Sequence, residues 1–301
     1  MEQQLSQLLE EVIGDRVSGA AQVTRKAAGL ISQWIEQTSK PEPENFLELG
    51  MMLIQGQPSM APVINLVNDV LLAMHQAQEN GLKAKQGLFE FIHGFTERQS
   101  STLESTIAAA LPLVKPGDRI ATHSYSSTVR DILLGAKRAG VAFQAIITEG
   151  RPNLESRTLA HELSSGGIKV EFVTDMGLFP LMDSIDKVFL GADAVTSSTL
   201  VNKAGTCAIA ARCRQLGMPC YAFVTQEKFL APQLEPLFKI VEHSPTEVWG
   251  GAPDGVTVRN IYFGRTQLDA LSGLACEQGL LRPAQVEALI AKRPVSGLLT
   301  G

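Results

Sequence analysis

The stretch VFLGADAVTSSTLVNKAGTCAIAARCRQLG, residues 188–217, contains the pattern that decides the fold. Its first residues form an apolar run typical of a buried strand, which stops at Gly191-Ala192-Asp193. Its last residues have helical spacing from Thr206, and Gly217 is typical of a helix end. A strand followed by a helix predicts one unit of a parallel sheet, with Asn202-Lys203 in the loop before the helix and Thr206 as its cap.

The same alternation begins after the turn predicted at Pro116-Gly117-Asp118. Helical patterns separate the apolar runs, so right-handed crossovers and a mostly parallel sheet are expected. The sequence therefore predicts an α/β fold whose C-terminal, Rossmann-like domain covers residues 111–301. The predicted strands are residues 119–123, 142–147, 169–174, 186–190 and 219–224.

The first third of the chain has helical periodicity instead. Apolar residues recur at positions i, i+3, i+4, i+7 and i+8, as at Leu5, Leu8, Leu9, Val12 and Ile13. The repeated pattern predicts four or five helices, with a loop at the proline-rich stretch SKPEPENF. We therefore expect an N-terminal helical domain over residues 1–110.

The composition excludes several classes of protein. A net charge of −5 argues against a broad basic face, so no direct nucleic-acid partner is expected. The acidic N-terminus lacks the regions of a secretory signal, and no apolar run is long enough to cross a membrane. The four cysteines form no C-x-x-C pair. These features predict a reduced, cytoplasmic protein without membrane association.

Motifs for cofactors and metals are also missing from the sequence. Neither a P-loop nor a G-x-G-x-x-G motif occurs, which argues against a nucleotide cofactor. The five histidines lack ligand spacing with cysteines or carboxylates. We expect neither a cofactor nor a metal site.

Three loops at the carboxyl ends of predicted strands contain candidate ligand-binding residues, since ligands of open parallel sheets bind at these ends. In THSYSSTVRD, a strand ends at His123, and Ser124, Ser126 and Ser127 lie where a helix begins. Hydroxyls and free amides at a helix N-terminus can bind phosphate. Simple N-capping explains one of these serines equally well.

The other two loops leave similar alternatives open. Arg151 in TEGRPNLES could bind an anion, but a salt bridge with Glu149 explains it more simply. Asp193 could exchange protons with a sugar hydroxyl, and Asn202 and Lys203 could bind its phosphate beside the helix N-terminus. An Asx-turn and a surface lysine would account for the same residues.

These motifs resemble those of a known family. GADAVTSSTLVNKAGTCAIAARC and MPCYAFVTQEKF, with THSYSSTV and TEGRP before them and NIYFGRT after them, are similar to the alpha, beta and delta subunits of translation initiation factor 2B. The family also includes ribose-1,5-bisphosphate isomerase and 5-methylthioribose-1-phosphate isomerase. The resemblance covers nearly the whole chain. It implies a homodimer or a higher homo-oligomer with a dimer contact through the C-terminal domain, and the apolar MPCYAFV strand agrees with that contact.

The resemblance also implies a sugar-phosphate ligand bound between the two domains. In the isomerases a cysteine and the aspartate of GAD carry out the aldose–ketose chemistry; here Asp193 matches the aspartate and Ser124 replaces the cysteine. An arginine-glycine-alanine motif that binds phosphate becomes Ser18-Gly19-Ala20.

Other departures weaken the enzymatic interpretation further. A second phosphate-binding arginine becomes Gln57, and an F-D-x-T element becomes Phe263-Gly264-Arg265-Thr266. A serine hydroxyl has a far higher pKa than a thiol and is a poor acid or base without an activating partner. We therefore expect a regulatory or sensing protein that binds a sugar phosphate, with an aldose–ketose isomerase that uses Asp193 as the alternative.

Overall fold

The computed structural model describes residues 2–15 and 19–300. Its contacts divide the chain into two compact units. The helical unit comprises Met1–Ser101, Glu227–Lys239 and Ala288–Gly301. The sheet unit comprises Thr102–Gln226 and Ile240–Glu287. The domain boundary expected at residue 110 stays a prediction.

Six helices are described in the first 110 residues, rather than four or five, and the division between units falls within the sixth. The stretch SKPEPENF, expected to be a loop, contains Pro43, which is the first residue of the third helix. Proline is well tolerated there, because the amide at this position has no partner within the helix. No helix of the described residues is long and apolar enough to cross a membrane. The helices are α1 (Glu2–Ile13), α2 (Ala20–Gln37), α3 (Pro43–Gly56), α4 (Ala61–Glu79), α5 (Ala84–His93) and α6 (Phe95–Ala110).

Two buried asparagines on α4 hold distant segments of the chain in the helical unit. Asn65 Nδ2 donates to the carbonyl oxygens of Glu227, at 2.7 Å, and Phe229, at 2.9 Å. Asn68 Nδ2 donates to the carbonyl oxygen of Pro294 at 3.1 Å. The Asn68 carbonyl accepts from the amide of Ser296 at 2.9 Å. Because a buried polar group without a partner is costly, these bonds fix where both segments lie.

The sheet unit is built on seven strands in the order β10-β9-β7-β4-β1-β2-β3. Neighbouring strands are parallel except for β9 and β10. All five strands predicted from the sequence are present within two residues of their expected bounds. The strands of this sheet are β1 (Arg119–Thr122), β2 (Gln144–Thr148), β3 (Lys169–Val173), β4 (Lys187–Leu190), β7 (Cys220–Phe223), β9 (Gly273–Cys276) and β10 (Gly279–Leu281).

The helices of the sheet unit follow the strands as the pattern predicted. Ser126 caps α7 by accepting from the amide of Val129 at 3.3 Å. Between β3 and β4 the chain forms 3-10 turns at Met176–Ser184 instead of an α-helix. The α-helices of this part of the chain are α7 (Ser127–Arg138), α8 (Ser156–Ser165), α9 (Thr206–Leu216), α10 (Thr246–Trp249) and α11 (Pro283–Ala291).

A second, antiparallel sheet of three strands was not predicted. It consists of β5 (Ala194–Val195), β6 (Thr199–Lys203) and β8 (Phe263–Gln267), in that order. The expectation that Asn202-Lys203 form a loop is therefore wrong, because both residues pair with β8. The N-cap of α9 is Gly205 in a left-handed conformation (φ 105°), not Thr206, while Gly217 ends the helix as expected.

Side chains from β4 and β7 meet in the core of the sheet unit. Phe189 and Phe223 pack edge to face, with ring centroids 4.6 Å apart. Strand β7 lies between β4 and β9, and Cys220, Ala222 and Phe223 are buried. The apolar MPCYAFV segment is therefore an interior strand, which removes the reason for expecting it at a dimer contact; the dimer itself stays a prediction.

The substitution Phe189→Ala should reduce the stability of the sheet unit. A fully buried phenylalanine leaves a cavity when truncated, so we expect the free energy of unfolding to fall by about 3–5 kcal/mol. Phe172→Ala on the edge strand β3 is the control, because that side chain is 43% exposed. Urea unfolding followed by circular dichroism measures both; equal losses would contradict the assigned core.

Candidate functional site

The candidate site lies where the strand order of the parallel sheet reverses. From β1 the chain moves to β2 and β3 on one side, and then returns to β4 on the other side of β1. The loops after β1 and β4 therefore diverge and leave a crevice at the carboxyl end of the sheet. His123 and Ser124 follow β1, and Gly191-Ala192-Asp193 follows β4.

The β5–β6 hairpin brings Asn202 back towards the residues that follow β4. Asp193 N donates to the carbonyl oxygen of Val201 at 2.8 Å. A Cβ atom added to Gly191 would lie 2.6 Å from Ser126 Cβ and 3.9 Å from Asn202 Oδ1. Only glycine permits this close approach of the loop after β4 to Ser126 at the N-terminus of α7. The hairpin thus explains why Asn202 lies near Gly191, since it folds β6 back onto the residues that follow β4.

Asn202 and Thr206 form a small buried network at the N-terminus of α9. Asn202 Nδ2 donates to Thr206 Oγ1 at 3.1 Å, and that hydroxyl donates to the carbonyl oxygen of Lys203 at 2.7 Å. Thr206 therefore ties β6 to the first turn of α9. The network orients Asn202 beside the free amides of a helix N-terminus, which favour negative charge.

A carboxylate that the sequence interpretation did not single out joins two of the candidate residues. Glu155 Oε1 accepts a hydrogen bond from Ser124 Oγ at 2.6 Å and forms an ion pair with Lys203 Nζ at 2.9 Å. Ser124 has a left-handed backbone (φ 69°), which is uncommon for a residue other than glycine. Lys203 is only 5% exposed, so the surface-lysine alternative is excluded.

Tyr262 forms the other side of the lysine environment. Lys203 Nζ lies 4.5 Å from the centroid of the Tyr262 ring, a cation–π distance. The Tyr262 ring also stacks with the His243 ring, with centroids 3.8 Å apart. The Tyr262 hydroxyl lies 2.6 Å from Asn153 Oδ1 and also contacts Glu247. Burial and the bond to Glu247 raise the pKa of Tyr262, so this side chain stays a neutral phenol.

His123 connects the loop after β1 to the two neighbouring loops. Its Nε2 lies 2.9 Å from the carbonyl oxygen of Ala204, which only accepts, so Nε2 carries the proton. In the neutral ring Nδ1 then accepts from the Thr148 hydroxyl at 2.7 Å. Burial lowers the pKa of His123, and the nearby charge of Lys203 lowers it further. The Ala204 carbonyl and Asp175 act in the opposite direction but do not cancel this effect.

Asp175 fixes the loop that contains Arg151. Its carboxylate accepts from the amides of Gly150 and Arg151, each at 2.9 Å, and lies 3.6 Å from His123 Nδ1. These contacts place Glu155 near β1 and β6. The Arg151 side chain is exposed, and the expected salt bridge with Glu149 is not among the described ion pairs.

The predicted site residues of the sheet unit are thus partly brought together. Ser124 and Lys203 share a carboxylate, while Ser126 and Asn202 both approach Gly191. Ser127 is the half-buried first residue of α7. Asp193 is half-buried directly before β5. These positions are compatible with one anion-binding region at the carboxyl end of the sheet.

The predicted residues of the helical unit have local roles. Gly19 is the N-cap of α2 and Ala20 its first residue, whereas Ser18 lies outside the described residues. Gln57 is buried, and its Nε2 donates to the carbonyl oxygens of Val12 at 2.6 Å and Asp15 at 2.9 Å. Gln57 therefore completes the C-terminal end of α1, whose last carbonyls lack partners within the helix.

His123, Glu155 and Tyr262 were missed as site residues by sequence reasoning. Glu155 directly precedes α8, and its contacts with Ser124 and Lys203 join distant parts of the chain, so no local pattern marks it. The signal that could have indicated Glu155 was the presence of a lysine and a strand-end serine in one candidate site, because both side chains require a partner when they are buried. Across the described ranges, no group of three or more His, Cys, Asp or Glu residues has metal-site geometry.

The substitution Gly191→Ala should disturb the candidate site directly. The new methyl group would collide with Ser126 at the start of α7, so we expect a loss of stability of about 1–3 kcal/mol. Gly29→Ala in α2 is the matched control, since its Cβ would meet no atom within 4 Å. Thermal unfolding distinguishes the two; an unaffected Gly191→Ala variant would show that the loops are not packed as described.

The buried His123 should make the protein less stable below neutral pH. Its pKa in the folded state lies below the unfolded value of about 6.5, so the unfolded state binds the proton more readily. The stabilisation is complete above pH 6.5 and is lost as the pH falls through the folded-state pKa. His123→Gln should flatten the decline in unfolding free energy between pH 6.5 and 5, whereas His161→Gln, at an exposed position on α8, should not.

Comparison with known proteins connects this geometry to a family. A family model described as "Initiation factor 2 subunit family" matches residues 16–283. A "Putative translation initiation factor eIF-2B subunit 2-like" protein of Pyrococcus furiosus is 30% identical over 280 residues, which are 92% of this chain and 95% of the relative. A ribose 1,5-bisphosphate isomerase of Methanocaldococcus jannaschii is 27% identical over 296 residues, covering 96% and 94% of the two chains.

A solved structure gives the same assignment. The crystal structure of translation initiation factor eIF-2B from Pyrococcus horikoshii OT3 superimposes with a TM-score of 0.80 and 26% sequence identity. The match covers 94% of this chain and 98% of the other. The chain belongs to the initiation factor 2 subunit family, as its motifs predicted.

Proposed function

We propose that this member of the initiation factor 2 subunit family binds a sugar phosphate in a regulatory or sensing role. The observation that carries the proposal is the environment of Lys203, a cation buried to 5% exposure beside the N-terminus of α9. A buried lysine is expensive unless an anion compensates its charge. Glu155 pairs with Lys203 at 2.9 Å in this structure, and a ligand phosphate would provide the same compensation in its place. The helix N-termini of α7 and α9 favour the same negative charge.

The neighbouring residues suit the rest of such a ligand. Ser126 and Ser127 provide hydroxyls and amides at the start of α7, and Asn202 provides an amide side chain. The half-buried carboxylate of Asp193 can accept hydrogen bonds from sugar hydroxyls. Contacts of the ligand with Arg151, Gly19 and Ala20 stay predictions. A homodimeric state and a cytoplasmic location also stay predictions.

Two features favour binding over catalysis. Ser124 replaces the cysteine that the isomerase resemblance implies, and a hydroxyl is a far weaker acid than a thiol. Gln57 replaces an arginine and serves the end of α1 instead. A site with fewer cations and a serine in place of the cysteine retains recognition of a sugar phosphate more readily than it retains proton transfer.

An aldose–ketose isomerase that uses Asp193 is the alternative. One observation favours it: the 2.6 Å hydrogen bond gives Ser124 the carboxylate partner that an isolated serine lacks. In this case Glu155 would accept the Ser124 proton while Asp193 acts on the sugar. The similarity to a ribose 1,5-bisphosphate isomerase over most of both chains agrees with this alternative as well as with the regulatory role.

Calorimetric titration tests the binding proposal. Wild-type protein should bind ribose 1,5-bisphosphate, and Lys203→Met should weaken binding by about 10- to 150-fold, the equivalent of one charge-assisted contact. Lys187→Met is the matched control, because Lys187 forms a comparable buried ion pair with Asp118 at 2.7 Å, near the start of β4. The absence of binding to either ribose 1,5-bisphosphate or methylthioribose 1-phosphate would refute the proposal.

Turnover separates the two candidate functions. If the protein is regulatory, NMR should detect no ketose when wild-type protein is incubated with either sugar phosphate. Ser124→Cys should restore little isomerase activity. Ketose formation at about 1 s⁻¹ or faster, a rate typical of enzymes, would establish the isomerase alternative.

A further inference from the structure

Glu155 occupies the donors that an anionic ligand would use, and this inference rests on the sugar-phosphate site proposed above. Glu155 is the N-cap residue of α8, yet its side chain does not cap that helix. Its Oε1 atom instead accepts from Ser124 Oγ at 2.6 Å and pairs with Lys203 Nζ at 2.9 Å. An ammonium and a hydroxyl are also donors that phosphate oxygens bind in proteins.

A ligand phosphate and the Glu155 carboxylate compete for one cation. If Glu155 stayed in place while a phosphate approached Lys203, at least two negative groups would share a single buried ammonium. Placing such like charges together in a site of low dielectric is strongly unfavourable. Binding of the phosphate therefore requires Glu155 to leave Lys203.

The present position of Glu155 also leaves polar atoms unsatisfied. Glu155 Oε2 is buried without a hydrogen-bond partner, and so is the Ser156 hydroxyl next to it. The loop leaves no spare room, since a Cβ on Gly150 would lie 2.9 Å from both Glu155 Oε1 and Ser156 Oγ. An unsatisfied buried group costs about 1–3 kcal/mol, so Glu155 gains hydration when it moves outward. Its side chain is already 24% exposed and has a route to solvent.

We propose that Glu155 is an internal anion, which fills the phosphate position of the ligand-free protein and is displaced by the phosphate of the ligand. The affinity of the site is then set by competition between two anions for Lys203 and Ser124. Displacement also frees the residue directly before α8, so ligand binding is communicated to the loop held by Asp175.

Titration of a charge-neutral variant tests this displacement. Glu155→Gln keeps the shape of the side chain but removes its charge, so inorganic phosphate and ribose 1,5-bisphosphate should bind about tenfold more tightly than to wild type, since the competing state is lost. Glu162→Gln is the matched control: Glu162 lies on α8, is partly buried and pairs with Arg130 at 3.4 Å. Its affinity for both probes should equal that of wild type.

The outcomes separate the two proposals. If wild type binds the sugar phosphate and Glu155→Gln binds it equally or more weakly, the displacement is overturned while the sugar-phosphate site stands. If wild type gives no heat and Glu155→Gln binds, the competition between Glu155 and the phosphate is supported, while the proposed binding function of the wild-type protein is overturned. If neither probe binds to any of the folded proteins, the site and the displacement are both overturned.

A measurement on the wild-type protein keeps the test independent of how well the variant folds. In crystals grown with ribose 1,5-bisphosphate, the distance from Glu155 Oε1 to Lys203 Nζ should exceed about 4 Å, the limit of an ion pair. A sugar phosphate bound in the crevice with the 2.9 Å contact retained would overturn the displacement.

Discussion

The candidate site depends on the reversal of strand order around β1. Because β1 lies between β2 and β4, the chain leaves it in one direction and returns on its other side. The loops after β1 and β4 must therefore separate, and the crevice between them can accept polar groups without breaking a strand ladder. The antiparallel β5–β6 hairpin then adds Asn202 and Lys203 to this crevice. Residues that are distant in sequence meet there as a consequence of topology.

Burial of charge determines how those residues are arranged. Lys203 is removed from water between an aromatic ring and a carboxylate, and its only described ion-pair partner is Glu155. A buried ion pair gives limited net stability, because desolvation offsets much of its attraction. The pair nevertheless specifies position strongly, since removing either member leaves an uncompensated buried charge. Such an arrangement suits a site in which one anion can be exchanged for another.

The sequence was sufficient for the parallel sheet but not for the small antiparallel one. Short apolar runs separated by helical patterns identified β1, β2, β3, β4 and β7 within two residues. The strand Ala194–Val195 is too short to produce a period, and Asn202-Lys203 has the polarity of a loop. Pairing with β8, whose residues lie about sixty positions later, overrides this local preference.

The candidate site shows the same division between local and long-range information. The sequence indicated that one serine of THSYSSTVRD caps a helix, since capping depends on neighbouring residues, and Ser126 is that cap. Glu155 was not identified, since its contacts with Ser124 and Lys203 cross 31 and 48 positions of the chain. Gln57 was noted only as a departure from the isomerase motif. Its role at the end of α1 depends on tertiary packing, which no local pattern reveals.

The hydrogen bonds of Asn68 have a consequence for the order of events at the ribosome. The helical unit includes Ala288–Gly301, and Asn68 on α4 holds this segment through Pro294 and Ser296. The last segment of the sheet unit ends at Glu287. Domains generally fold in the order of synthesis, but here the unit whose helices emerge first is the last to receive all its parts. A nascent chain stalled before residue 288 would carry a complete set of sheet-unit segments and a helical unit that still lacks one of its own.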